Sequence, residues 1–231
     1  MRIMMGISHP QAVDTTVIHE GQETAAALAA LGLTESLLLE SAEWGLRHAF
    51  SCTLHEPPSV PGIIAWGKIV RALRDRLVAA KWQSNNASNY ATVISPTGQD
   101  AIAVAAGNAA TGRASEVVAT RTTKGPLTRS RTAKNQLSLF EMVAEQFPSP
   151  RALPDEGVRT WLLLHYVDDE AEEIRVELSL PVNMDETGRV TGWQQRIILS
   201  PIPHLPEPFS EDAPLAAEDV DDVDIDIRRR A

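Results

Sequence analysis

Apolar residues recur along this chain with more than one spacing, and each spacing implies a different element. Residues 24–31 are rich in Ala and Leu and stop at Gly32, which suits a helix C-terminus. Thr34 then serves as the N-cap of a second helix reaching about Phe50, with Leu37, Leu38, Trp44 and His48 at helical spacings. The stretch HEPPSVPG, residues 55–62, is expected to be a loop, because its three prolines remove amide donors and bias their neighbours to extended geometry. The clearest helical pattern covers residues 63–82. There Trp66, Ile69, Val70, Leu73, Leu77 and Val78 form an apolar stripe, while Lys68, Arg71, Arg74, Arg76 and Lys81 tend toward the other side.

The period then shortens to two. YATVI and DAIAVAAG flank Pro96-Thr97-Gly98-Gln99 and predict a β-hairpin. Downstream, RTWLLLHYV is a short apolar strand, and EIRVELSL alternates Ile174, Val176, Leu178 and Leu180 against Arg175, Glu177 and Ser179. Residues 168–172 turn the chain between them, a second turn falls at Gly188, and WQQRIIL supplies a third strand. Together these patterns predict an α+β fold: N-terminal helices with a β-hairpin, then a three-stranded antiparallel meander covered on one face by the helices. Along the chain this divides into a helical and hairpin region (1–108), a basic Thr/Ser-rich linker (109–135), a short segment at 136–150, the meander (155–206) and an acidic tail (207–231). The tail is expected to be disordered, since its like charge is dense and its aromatic residues few.

Composition narrows the class of protein. A hydrophobic fraction of 43% supports a packed core, whereas 5% aromatic residues argue against a base-stacking surface. No run of about 18 apolar residues occurs, so no membrane-spanning helix is expected, and the apolar patch near the start is too brief for a secretory signal. Cys52 is the single cysteine, which excludes an intrachain disulfide and makes a reducing cytoplasm the expected compartment.

Charge is unevenly spread over a net −10. Glu207, Glu211, Asp212, Glu218, Asp219, Asp221, Asp222, Asp224 and Asp226 form an acidic run without a base, closed by Arg228, Arg229 and Arg230. Arg113, Arg121, Lys124, Arg129, Arg131 and Lys134 face the single acid Glu116 in their own stretch. The net charge argues against a chain that coats nucleic acid non-specifically, while the local basic segment allows a weak phosphate contact through Arg121, Lys124, Arg129, Arg131 and Lys134.

At the end of that basic segment stands Gln136-Leu137-Ser138-Leu139-Phe140. This string resembles the peptide by which many bacterial DNA polymerases, repair proteins and replication regulators dock onto the sliding clamp, Gln-Leu-(Ser or Asp)-Leu-Phe, and all five positions match. The resemblance spans five of 231 residues and assigns no family to the whole chain. It implies that the Gln136 amide meets backbone groups in the clamp groove, that Leu137 fills a small subsite, and that Leu139 and Phe140 enter a deeper apolar pocket. A few apolar anchors with one register-fixing amide are a sound way to bind a groove. The same residues fit a second pattern, because Leu137, Phe140, Ala144 and Phe147 fall on one stripe of an amphipathic helix.

Other candidate chemistry is sparser. Asp168, Asp169, Glu170, Glu172 and Glu173 are hard-cation ligands by type, yet turns carry such residues without any ligand. Cys52 and His55 have metal-like spacing with no second pair beside them, and Cys52 with His48 or His55 as base is a nucleophile–base pair by type alone. No phosphate-loop pattern accompanies Gly107 and Gly112, and no cofactor is implied. The expected function is thus a non-enzymatic accessory protein of DNA replication or repair, or of a mobile-element or defence system, that docks on the bacterial sliding clamp and touches DNA weakly. The alternatives are a metal-dependent hydrolase or nuclease built on the acidic cluster from Asp168 to Glu173, and an acidic protein-binding module whose tail mimics nucleic acid.

Overall fold

A computed structural model describes residues 16–143 and 157–203, with side chains described throughout except at 136–143. The acidic tail and the segment 144–156 lie outside the described residues.

Three helices open the fold: α1 (Gln22–Ala30), α2 (Glu35–Phe50) and α3 (Val60–Leu77). The Thr34 hydroxyl accepts from the Leu37 amide at 3.4 Å and starts α2 where the N-cap signal predicts. Gly32 adopts φ +71° just past α1, a conformation glycine reaches without a Cβ penalty. The start of α3 reaches back into the expected loop, because Pro61 occupies its first turn, where a missing N–H costs nothing. Gly45 lets α2 and α3 approach closely: a Cβ there would lie 2.6 Å from the Ile69 amide nitrogen. Of the apolar stripe on α3, Ile69, Val70, Leu73 and Leu77 are buried, while Trp66 and Val78 remain exposed. Among the described residues no single helix is long and apolar enough to cross a membrane.

The strands are β1 (Val17–His19), β2 (Gln83–Asn85), β3 (Thr92–Ile94), β4 (Asp100–Ala106), β5 (Arg159–Asp168), β6 (Glu173–Met184), β7 (Val190–Ile198) and β8 (Ile202–Pro203). A fourth helix, α4 (Pro126–Val143), lies between β4 and β5 in sequence. The expected fold, a hairpin beside a separate three-stranded antiparallel meander, is corrected here. All eight strands form one mixed sheet in the order β1-β7-β6-β5-β4-β3-β2, with β8 paired to β6. Hairpin and meander are fused by parallel pairing of β4 with β5, from Asp100↔Arg159 to Ala106↔His165, and β1 adds a second parallel edge on β7. The physical reason is that β4 and the centre of β5 are apolar on both faces, so each must be covered on both sides and flanked in the plane.

The helices divide between the two faces. One core contains Leu38, Leu46, Ile69 and Leu73 from α2 and α3 with Ile102, Val104, Leu163 and Leu178 from the sheet. The alternate residues Ala103, Ala105, Leu162 and Leu164 face the opposite way, with Val118, Val190 and Trp193. On that second face α4 packs over β5 and β6. The polar side of β6 is therefore not a solvent face: Arg175, Glu177 and Ser179 are all buried.

Candidate functional site

The N-terminal half of α4 is described in full. Pro126 opens it, and Thr128, Thr132 and Asn135 recur at helical spacing as its buried side. Asn135 fixes this helix to the sheet. Its amide group donates to the Thr160 carbonyl at 3.0 Å and to the Pro181 carbonyl at 2.9 Å, and its side-chain oxygen accepts from the Thr160 amide at 2.9 Å. One side chain thereby joins α4, β5 and β6. Gln136, Leu137, Ser138, Leu139 and Phe140 follow it directly with helical backbone, the amphipathic-helix alternative of the two patterns they fit; their side chains are outside the described residues.

The basic residues are not brought onto one stripe. Arg131 and Lys134 lie about 60° apart around the helix axis, whereas Arg129 lies on a different side. Arg121 and Lys124 stand before the helix and line a cleft of about 710 Å³ at an open edge of β4. That edge exists because β3 is paired to β4 only at Ala101 and Ile102, leaving residues 103–106 with β5 on one side and no strand on the other. Across the cleft stand the first two turns of α3 with Pro61, Ile63 and Trp66; Ile63 and Trp66 are 60% and 42% exposed.

Electrostatics in this region are one-sided. The Lys124 ammonium donates to the Thr122 hydroxyl at 3.1 Å, and burial pushes its pKa down. Burial raises the Tyr90 phenol, while a hydrogen bond with Thr128 and the charge of Arg131 work in the other direction. His165 lines an adjoining cavity of about 230 Å³ with Arg121. Burial first, then the charges of Lys124 and Arg121, hold its imidazole down to about pKa 4, so it is neutral at pH 7. No carboxylate is among the lining residues of either cavity.

A second polar cluster lies within the sheet. Arg196 binds Glu177 through both carboxylate oxygens, at 3.1 and 2.7 Å. Glu177 also accepts from the Gly112 amide at 2.8 Å and from the Ser179 hydroxyl at 2.7 Å. Arg196 in turn donates to the carbonyls of Arg113 at 3.0 Å and Glu116 at 3.3 Å, so the pair holds the loop around residues 112–116 over the sheet. Gly112 sits at φ +75°, and a Cβ there would lie 2.9 Å from that of Arg175. These residues show no solvent-facing reactive atom, and their role is architectural.

The acidic turn between β5 and β6 does not converge on a cation position. Asp168 lies 2.9 Å from Arg175 and 3.5 Å from Arg113, and Glu173 lies 3.6 Å from Arg175. The Ala171 amide above all, with Arg175 and Arg113 adding, holds the Asp168 carboxyl below the usual carboxylate range. Among the described residues no group of three or more His, Cys, Asp and Glu side chains is placed to hold a metal. The His48 ring packs tilted against Trp44, with ring centroids 4.2 Å apart, and its Nδ1 meets the Trp44 carbonyl at 2.7 Å, so its ring serves the helix rather than half-buried Cys52.

Two features escape a reading of the chain. The burial of Glu177 and Arg196 is hidden because a strand's polar side reads as solvent-facing unless the covering loop is known. The open β4 edge is hidden because strand order is non-local. No family model matches this chain, and comparison with curated proteins and with solved structures finds no match either.

Proposed function

We propose that this chain is a non-enzymatic docking protein that engages the bacterial DNA sliding clamp through Gln136, Leu137, Ser138, Leu139 and Phe140. The observation that carries the reading is the five-for-five match of that string to the clamp-binding pattern. It is supported by position: the string begins one residue beyond Asn135, whose three hydrogen bonds hold the preceding part of α4 to the sheet. A clamp ligand is bound extended, so docking requires α4 to unwind from residue 136. Helix propensity over residues 136–143 opposes this by no more than about 2 kcal/mol. Two apolar anchors in a preformed pocket contribute about 2 kcal/mol or more each. Asn135 then marks the hinge, and Arg121, Lys124, Arg129, Arg131 and Lys134 supply weak phosphate contacts to DNA threaded through the clamp.

The test is calorimetric titration of purified clamp with wild type and with Leu139→Ala/Phe140→Ala, with thermal melts on both. A peptide of residues 133–147 is titrated alongside, because its binding does not depend on the fold. The proposal expects wild type and peptide to bind and the double variant to lose at least about tenfold in affinity with an unchanged melt. Equal affinity of the two proteins, or no binding by the wild type and the peptide, rejects it.

A further inference from the structure

The open edge of β4 has a defined hydrogen-bonding content. The Asp100 carbonyl accepts from Ser95 at 2.8 Å on the β3 side, whereas the Gln99 carbonyl accepts from Arg159 at 2.8 Å on the β5 side. Even-numbered residues of β4 thus direct their amide and carbonyl away from β5. At residue 102 those groups meet β3, and the Ala106 carbonyl is taken by the Arg121 amide at 2.9 Å. Between these points the Val104 amide and carbonyl and the Ala106 amide face the cleft, and none has a hydrogen-bond partner among the described residues. Val104 is only 8% exposed. A row of backbone groups without partners along a strand edge is a template for another strand.

The two lips of the slot differ in chemistry. The α3 lip presents Pro61, Ile63 and Trp66; the opposite lip presents Tyr90, Lys124 and Thr128. A strand entering here points alternate side chains to alternate lips, so its best sequence alternates apolar with acidic residues. The chain contains such a segment. Residues 223–227 read Val-Asp-Ile-Asp-Ile, a strict period-two pattern with β-branched residues on one side and aspartates on the other. The tether suffices. Ile202 and Pro203 pair with Ile174 and Glu173, which pair with Val167 and Asp168 of β5, and β5 pairs with β4, so β8 lies four strand spacings, about 20 Å across the sheet, from a strand added to the open edge of β4. The residues between 203 and 223 extend to roughly 65 Å, about three times that distance.

We infer that residues 223–227 add as a strand to the open edge of β4. Val223, Ile225 and Ile227 cover Ile63 and Trp66, Asp224 and Asp226 face Lys124, and the backbone of the added segment satisfies Val104 and Ala106. Attachment within one chain favours the contact through a high effective concentration. The inference is independent of the docking role of residues 136–140, although an acidic strand at Lys124 also screens the basic segment used there.

The experiment is residue-resolved amide hydrogen exchange, read by NMR on the full chain, for wild type, Ile225→Pro and Asp224→Lys/Asp226→Lys. Each sample is measured at two protein concentrations. Proline at position 225 removes a donor and cannot continue a paired strand. Expected is exchange of the Val104 and Ala106 amides at least about tenfold faster in both variants, with the Leu178 amide unchanged and no dependence on concentration. Identical exchange at Val104 and Ala106 in wild type and Ile225→Pro overturns the inference. Protection that grows with protein concentration also overturns it, because the strand is then donated by a second copy.

Discussion

Arg196 and Glu177 meet through a bidentate contact, with the shorter bond at 2.7 Å, and their side chains are 4% and 0% exposed. A charge pair this far from water depends on completeness. The carboxylate is met by Gly112 and Ser179 as well, and the guanidinium by two loop carbonyls. Removing one partner leaves the other charged and unmatched, which costs about 3–5 kcal/mol, whereas replacing both by apolar residues of similar size is far milder. Glu177→Gln should lower the urea midpoint by that equivalent. Glu177→Leu/Arg196→Met should recover most of it, yet exchange faster at the amides of residues 112–116, where the carbonyls of Arg113 and Glu116 lose their donor.

Asn135 carries a comparable load on a neutral group. Asn135→Leu strands the Thr160 amide and carbonyl and the Pro181 carbonyl beneath α4. The expected loss is about 3 kcal/mol, measured by chemical denaturation. Asn135→Asp keeps the bond from the Thr160 amide but removes both donated bonds, and should fall between the two.

His165 makes stability fall in mild acid. Its pKa is about 4 when folded and near 6.5 when the chain is unfolded, so between those values the unfolded state binds a proton that the folded state refuses. Stability attributable to this group is complete above pH 6.5 and declines as pH falls toward 4, by about 3 kcal/mol over that window. A denaturation series from pH 7 to 4 on His165→Gln should be flatter across that window than wild type, once the carboxylate contribution common to both is subtracted.

Gly45 sets the distance between α2 and α3. Gly45→Ala drives its Cβ against the backbone nitrogen of Ile69, a contact that cannot rotate away. The helices must separate, and a loss of about 1–3 kcal/mol in thermal or chemical denaturation is expected despite the gain in helix propensity. Gly62→Ala meets no atom within 4 Å and serves as the comparison that should leave stability little changed.

The opposed charges of tail and basic segment predict a salt-dependent effect. Deleting residues 207–231 removes nine acidic side chains against three arginines, and should strengthen DNA binding at low salt. The gain should shrink as ionic strength rises, because exposed charges are screened beyond about 8–10 Å at physiological salt. Fluorescence anisotropy with a labelled duplex at several salt concentrations measures both; equal affinity of the two forms at low salt removes the idea.

Local structure was largely legible in the chain. The Thr34 cap, the Ile69, Val70, Leu73 and Leu77 part of the α3 stripe, the turn before Asp100 and the alternation of β6 all sit where propensity and period put them, because each depends on neighbours a few residues away. The proposed docking string was likewise visible, since a linear peptide carries its chemistry in sequence order. Burial was not. Arg175, Glu177 and Ser179 have the alternation of a solvated sheet face and are instead enclosed, because the loop around residues 112–116 covers them. The first turns of α4 read as a polar linker, since Thr128, Thr132 and Asn135 give its buried side almost no apolar signal.

The sequence by itself determined the helices α1 to α3, the hairpin turn, the main antiparallel strands, the charge asymmetry and the five-residue string at 136–140. Only the tertiary structure decided that hairpin and meander form a single sheet, that Arg196 neutralises Glu177 inside it, and that β4 keeps an open edge between an apolar and a cationic lip. The physical reason is range. Caps, turns and periodicity are settled by contacts within a few residues, whereas parallel pairing of β4 with β5 joins positions about sixty residues apart through backbone groups that every residue shares.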